Sequence, residues 1–269
     1  MLVRGLFFLA IGYAIFLFLL YALQRRMMYF PCSKRLALPE SVGLSGMMSV
    51  VVHTQDNLDL IAWFSPPAEK GGKVVVIFHG NAGDISDRAN RAAAFMAKGY
   101  GVFMCEYRGY GGNPGMPTEQ GLYEDARAGL RWLQEQGCTR RQFVLYGESL
   151  GTGVAVQMAL ETAASYLILE APFSSTSDVA KARYPFVPVD MLMHDTFDSI
   201  AKISKLKTSL LIIHGTADET IDIRFGKKLY AAARDPKEFV EVSGAAHTNL
   251  YDFKAAELVT DWLSRQPEA

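Results

Sequence analysis

A serine hydroxyl is a poor nucleophile until a base removes its proton, and the base works best when a third group holds its ring in place. Three residues of this chain have the types and the order for that arrangement: Ser149, Asp218 and His247. Ser149 is the centre of Gly147-Glu148-Ser149-Leu150-Gly151, a Gly-x-Ser-x-Gly pattern. The pattern by itself is weak, because a chain with 23 glycines makes glycine-rich turns by chance. Its flanks give it weight. Phe143-Val144-Leu145-Tyr146 has the length and residue types of a buried strand, and Thr152 to Leu160 is small and apolar at helical spacing. Strand, sharp turn and helix would lift the Ser149 hydroxyl clear of the carboxyl end of a sheet. The first N–H groups of the helix would then point at whatever the serine attacks.

In that geometry His247 takes the serine proton through one ring nitrogen and returns it to the leaving group, while Asp218 holds the other nitrogen and fixes the tautomer. The Leu150 N–H, with the N–H of Asn81 or Ala82, would receive the oxyanion of a tetrahedral intermediate. Losing one such donor typically costs about 3–4 kcal/mol of barrier. Glu170, Glu219 and Asp222 compete for the acid role. Asp218 is preferred because the turn Gly215-Thr216-Ala217 delivers it directly from a strand end. His214 is expected to shape that acid loop and His79 to belong to the oxyanion loop. His194 is expected at the surface and His53 at a sheet edge. This chemistry requires neither cofactor nor metal, and Cys32, Cys105 and Cys138 stand at no metal-like spacing.

The elements that must position these groups are legible as an alternation. Met48 to Phe64 alternates around a polar turn at Gln55-Asp56-Asn57, as a two-stranded hairpin does. Lys73 to Phe78 is a β-branched run suited to a strand buried on both faces, ending in His79-Gly80-Asn81-Ala82-Gly83-Asp84. Asp84 or Ser86 can cap a helix running to Lys98. Tyr100 to Glu106 is the next strand, and Thr118 can cap a helix that ends at Gly137. Tyr166 to Leu169, Ser209 to Ile213 and Glu238 to Val242 are further strands. Helices are expected from Arg224 to Ala233 and from about Leu250 to Leu263. Strand and helix alternating over this length predict a mostly parallel sheet covered on both faces. Residues 174–207 break the rhythm with Pro-interrupted apolar segments and are expected as a small helical insertion, or cap, over the site.

Composition narrows the function classes. Half of the 269 residues are hydrophobic, enough for a sizeable core, and the formal net charge of −1 leaves no electrostatic footprint for nucleic acid. Leu6 to Leu23 carries no charge, and about 18 such residues just suffice to cross a bilayer. A cleaved signal peptide would be shorter and followed by small residues. Here Gln24-Arg25-Arg26 follows, so an uncleaved anchor over residues 1–30 is expected, then a linker over 31–45 and a catalytic domain over 46–269. Arg25, Arg26, Lys34 and Arg35 against Arg4 lean toward a cytoplasmic catalytic domain. Cys32, just past the apolar segment, is a position open to acylation.

Five stretches together carry a family resemblance. They are His79-Gly-Asn-Ala-Gly83, Tyr107-Arg-Gly-Tyr-Gly-Gly112, Gly147-Glu-Ser-Leu-Gly-Thr-Gly153, His214-Gly-Thr-Ala-Asp218 and Gly244-Ala-Ala-His247. The chain resembles the α/β-hydrolase superfamily, and within it the membrane-anchored bud-emergence-type branch related to the α/β-hydrolase-domain protein depalmitoylases. The resemblance spans residues 45–265. It departs from the family pattern at Ala246, at Thr248-Asn249 and at Thr208-Ser209, outside the three candidate residues. It implies an α/β-hydrolase fold and a Ser149–Asp218–His247 triad. It also implies hydrolysis of an ester, thioester or amide in a small-molecule, lipid or acyl-protein substrate. Esterase or thioesterase action is the reading favoured here. The alternatives are a serine peptidase and a non-catalytic scaffold of the same fold that binds or signals at a membrane.

Overall fold

The computed structural model describes residues 2–32, 34–162 and 164–267. The chain begins with the helix α1 (Leu2–Met28), among the described residues the one long and apolar enough to cross a bilayer. β1 (Phe30–Pro31) follows, then β2 (Met48–His53) and β3 (Asp59–Ser65), which form the expected hairpin. β4 (Val74–Phe78), β5 (Ala82–Gly83), α2 (Ala89–Met96), β6 (Gly101–Cys105) and α3 (Glu119–Glu135) lead to the elbow. The elbow joins β7 (Phe143–Glu148) to α4 (Leu150–Thr162). After β8 (Tyr166–Glu170) the insertion contributes α5 (Thr176–Arg183), α6 (Val189–Leu192) and α7 (Ile200–Ile203). β9 (Ser209–Gly215), α8 (Ile223–Ala232), β10 (Lys237–Val242) and α9 (Ala255–Ser264) complete the chain.

The central sheet has the order β10-β9-β8-β7-β4-β6-β3-β2. Among the described residues β3 alone runs antiparallel to the rest of it. The β-branched run of β4 explains its central place. Val74, Val76 and Phe78 pack on one face with α3, α4 and α8, and Val75 and Ile77 pack on the other with α2 and α9. Two layers of helix therefore cover a sheet whose strands, β3 excepted, run the same way, the architecture of an α/β-hydrolase fold.

Two expected helices differ in detail. The helix after β4 starts as a 3-10 turn, Ile85–Arg88, closed by a capping box between Asp84 and Asp87, before α2 begins. The last helix is split, because Lys254 takes a left-handed conformation (φ 63°) between the 3-10 turn Leu250–Phe253 and α9. The stretch read as a linker is packed on the body. Phe30-Pro31 pairs with Ala82-Gly83, the Leu36 N–H donates to the Gly111 carbonyl at 2.9 Å, and Leu36 and Leu44 are buried.

Candidate active site

Ser149 occupies the turn between β7 and α4 with φ 50°, a left-handed value that a serine holds only where its surroundings enforce it. The enforcement is local. The Ser149 N–H donates to the Glu170 carbonyl at 2.9 Å, and the Ser149 carbonyl accepts from the Thr152 N–H and hydroxyl at 2.9 and 2.6 Å. The crowding explains both glycines of the pattern. A Cβ at Gly151 would lie 2.0 Å from the Phe78 carbonyl oxygen, and one at Gly147 would lie 2.5 Å from the Gly151 oxygen. Neither neighbour is a movable side chain end, so a larger residue would force strand and helix apart.

The structure brings the three candidates together from three loops. His247 Nε2 lies 2.9 Å from Ser149 Oγ, and His247 Nδ1 lies 2.7 Å from Asp218 Oδ2. The other carboxylate oxygen, Oδ1, accepts the N–H groups of Thr220 and Ile221 at 2.9 and 2.8 Å, which fixes its rotamer. His214, expected as a shaping residue, reaches further than that. Its Nε2 lies 2.8 Å from the Ile221 carbonyl and 3.2 Å from Asp218 Oδ2, two acceptors that assign the ring proton to Nε2. Burial pushes the Asp218 carboxyl up, but hydrogen bonds from His214 and His247 outweigh it and hold the group well below the usual carboxylate range.

The competing acids are otherwise engaged. Glu170 is fully buried against Arg91 (2.8 Å) and accepts the Tyr146 hydroxyl. Asp222 caps α8 by accepting the Arg224 N–H at 2.9 Å. Glu219 lines the pocket described below. His79 is buried with Nδ1 against the Gly80 carbonyl and Nε2 against Glu106, each at 2.8 Å. His194 is exposed and packs at a tilt against Tyr21 of α1 with ring centroids 4.7 Å apart, while His53 is an exposed partner of Asp59.

Leu150 opens α4 directly after Ser149, and Asn81 and Ala82 lie on the loop after β4. That loop is tied to the N-terminal segment. The Asn81 carbonyl accepts from the Phe30 N–H (2.8 Å) and the Tyr110 hydroxyl (2.9 Å), and the Asn81 side-chain amide donates to the Met28 carbonyl at 2.9 Å.

A cluster that sequence reasoning missed lies beneath the elbow. Arg88 clamps Glu148 with two bonds of 3.0 Å, and Arg91 pairs with Glu170 and lies over the Tyr251 ring at 4.6 Å. Burial favours the neutral acid at Glu148, but the Arg91 and Arg88 guanidinium groups outweigh it and hold the carboxyl down. A signal was present. Glu148 and Glu170 end adjacent parallel strands in register, and two acids side by side at buried strand ends require cations.

A cavity of about 750 Å³ reaches Ser149, Leu150 and Asn81. Its hydrocarbon lining includes Val179, Val187 and Leu192 of the insertion and Leu20 and Met27 of α1. That size lies within the usual range of about 300–1,000 Å³ for ligand pockets.

Known proteins bear out the architecture. The chain is 32% identical over 227 residues to alpha/beta hydrolase domain-containing protein 17B of Homo sapiens, covering 77% of this chain and 74% of that one. The chain belongs to the α/β-hydrolase superfamily. It is also 40% identical over 228 residues to the uncharacterized protein Rv2307c of Mycobacterium tuberculosis, covering 84% of this chain and 81% of the relative. Residues 69–200 match the family described as serine aminopeptidase, S33, a stretch that holds Asn81, Ala82, Ser149 and Leu150 and stops short of Asp218 and His247. Among solved α/β structures, the esterase Pf2001 of Pyrococcus furiosus superposes with a TM-score of 0.70 at 18% identity, covering 88% of this chain and 98% of the esterase. An esterase domain from Rhodothermus marinus gives 0.62 at 21% identity, covering 81% and 98%. At those identities the likeness is one of fold.

Proposed function

We propose that this chain is a membrane-anchored serine hydrolase that cleaves carboxylic ester or thioester bonds through an acyl-enzyme. The observation that carries the reading is the hydrogen-bonded relay in which His247 stands 2.9 Å from Ser149 and 2.7 Å from Asp218, at a pocket lined largely by hydrocarbon. Ser149 Oγ attacks the acyl carbonyl carbon as His247 Nε2 takes its proton. The carbonyl oxygen becomes an oxyanion, received by the Leu150 N–H and the N–H of Asn81 or Ala82. The intermediate collapses, the bond to the leaving oxygen or sulfur breaks, and the His247 proton goes to the departing alcohol or thiol. Water, deprotonated by His247, then attacks the acyl-serine and releases the acid. Asp218, ionised far below neutrality, stabilises the imidazolium that forms twice in the cycle.

The anchor reading has structural support that a cleaved leader would forfeit. Arg25 pairs with Asp195 at 2.9 Å, Gln24 accepts the His194 N–H at 2.8 Å, and Asn81 bonds to Met28. The Arg25-Arg26 pair beside the body, against Arg4 at the far end, favours a cytoplasmic catalytic domain. The hydrocarbon lining favours an acyl group over the charged amine of a peptide.

The test is fluorophosphonate labelling of membranes carrying the wild type and Ser149→Ala, alongside a series of p-nitrophenyl esters from acetate to palmitate. Labelling and turnover by the wild type alone are expected. Folded wild type that neither labels nor turns over any ester would replace this reading with that of a non-catalytic binding scaffold.

A further inference from the structure

α1 is more than a tether in this structure. Its half-buried residues are Leu17, Leu20, Gln24 and Met28, a single face at helical spacing, and that face lies against the insertion. The contacts extend far up the helix. The Tyr13 hydroxyl donates to the Phe186 carbonyl at 2.5 Å, the Phe16 and Phe186 rings are 6.2 Å apart, and the Gln24 amide donates to the Leu192 carbonyl at 3.0 Å. Leu20, Tyr21, Gln24 and Met27 line the same cavity as Ser149.

This placement conflicts with a free transmembrane rod. Only Leu2 to Gly12 lie beyond the Tyr13 contact, and 11 residues of helix reach about 16 Å. The hydrocarbon core of a bilayer is about 30 Å thick. The charge-free run Leu6–Leu23 can be immersed only if the side of the insertion that touches it is carried to the membrane as well. The insertion is built for that boundary. Phe186 and Met191 are 61% and 85% exposed on it, and Phe186 sets its ring against Phe16 of α1. The cavity therefore opens where α1, the insertion and the lipid chains meet.

We propose that the C-terminal half of α1 is one wall of the acyl pocket, and that the pocket takes a long hydrocarbon chain sideways out of the leaflet along that wall. The proposal rests on the hydrolase reading above. Leu20 and Met27 are then specificity-determining residues, and the chain-length preference of the enzyme is set by a helix outside the α/β body.

The experiment uses the full chain in phosphatidylcholine vesicles, with kcat/KM measured on p-nitrophenyl acetate and palmitate. Leu20→Trp and Met27→Trp narrow the pocket. Leu19→Trp, on the 49% exposed outer face of α1, is the control. The palmitate-to-acetate ratio should fall roughly tenfold or more in both pocket variants, the scale on which apolar pockets discriminate small changes of fit. The ratio should stay at the wild-type value in the control. Diluting palmitate ester with inert lipid at constant bulk concentration should slow the wild type in proportion to its mole fraction in the bilayer. A wild type that labels with fluorophosphonate and hydrolyses acetate, but whose ratio is unmoved in both variants, overturns the α1 wall alone. A palmitate rate that follows bulk concentration overturns entry from the leaflet. A wild type without labelling or acetate turnover overturns the hydrolase reading, and this proposal with it.

Discussion

The two sides of the pocket are held by different physics. Beneath Ser149 the body is fastened by buried charge: Arg88 and Arg91 are satisfied by Glu148 and Glu170, with Tyr146 and Tyr251 closing the cluster. Opposite it, α1 and the insertion are joined by contacts that water can reach, such as the Tyr13 hydroxyl on the Phe186 carbonyl and the His194 N–H on Gln24. Truncating one partner of a buried pair strands the other charge, whereas an exposed pair is largely replaced by solvent. The difference teaches a division of labour. The side that carries Ser149, the proposed nucleophile, in a strained turn is over-determined, and the side proposed to admit substrate is held lightly and relies on its surroundings for cohesion.

The largest expected effect lies at Ser149, the proposed nucleophile. Ser149→Ala should abolish covalent labelling, and Asp218→Asn should lower kcat about 10⁴-fold by supplying the wrong tautomer to His247, read by single-turnover ester hydrolysis. Next is the cluster below it. Arg91→Met leaves Glu170 buried without its cation and should cost about 3–5 kcal/mol in chemical unfolding, where such a change at the α1 side should not. A pH series sharpens this. The Glu148 and Asp218 carboxyls are depressed in the folded state, so the unfolded chain binds their protons more readily as pH falls. Their stabilisation is complete above the ordinary carboxylate range of about 4 and is lost as pH falls through the folded values. The contribution of these two groups to the melting temperature should be level from neutrality to about pH 4 and drop below it, and the gap between wild type and Arg91→Met should narrow there. The smallest effect belongs to the wall. Tyr13→Phe, which removes an exposed hydrogen bond to the Phe186 carbonyl, should cost no more than about 1 kcal/mol in the same unfolding assay. A cost equal to that of Arg91→Met would erase the contrast between the two sides.

The body was legible in the sequence because its signals are local. β4, β7 and β9 are β-branched or apolar runs with no competing period, and the elbow demands glycine at Gly147 and Gly151 for reasons that hold in any chain. The meeting of Ser149, Asp218 and His247 follows from each standing at the end of a strand in one parallel sheet. What stayed hidden depends on pairing across distance. Nothing near Arg88 and Arg91 in the sequence announces the two carboxylates that β7 and β8 place under them. The docking of α1 was hidden for another reason. A charge-free run reads as lipid-facing whatever lies beside it, and only Tyr13, Tyr21 and Gln24, polar groups on the side facing the insertion, mark the covered face. The break at Lys254 left no mark, since lysine gives no hint of a left-handed backbone.

The hydrogen bond from Asn81 to the Met28 carbonyl has a consequence for the life of the protein in a cell. A cut between the helix and the body would not separate two independent parts. It would remove the acceptor that steadies the loop after β4 and open one flank of the cavity in the same stroke.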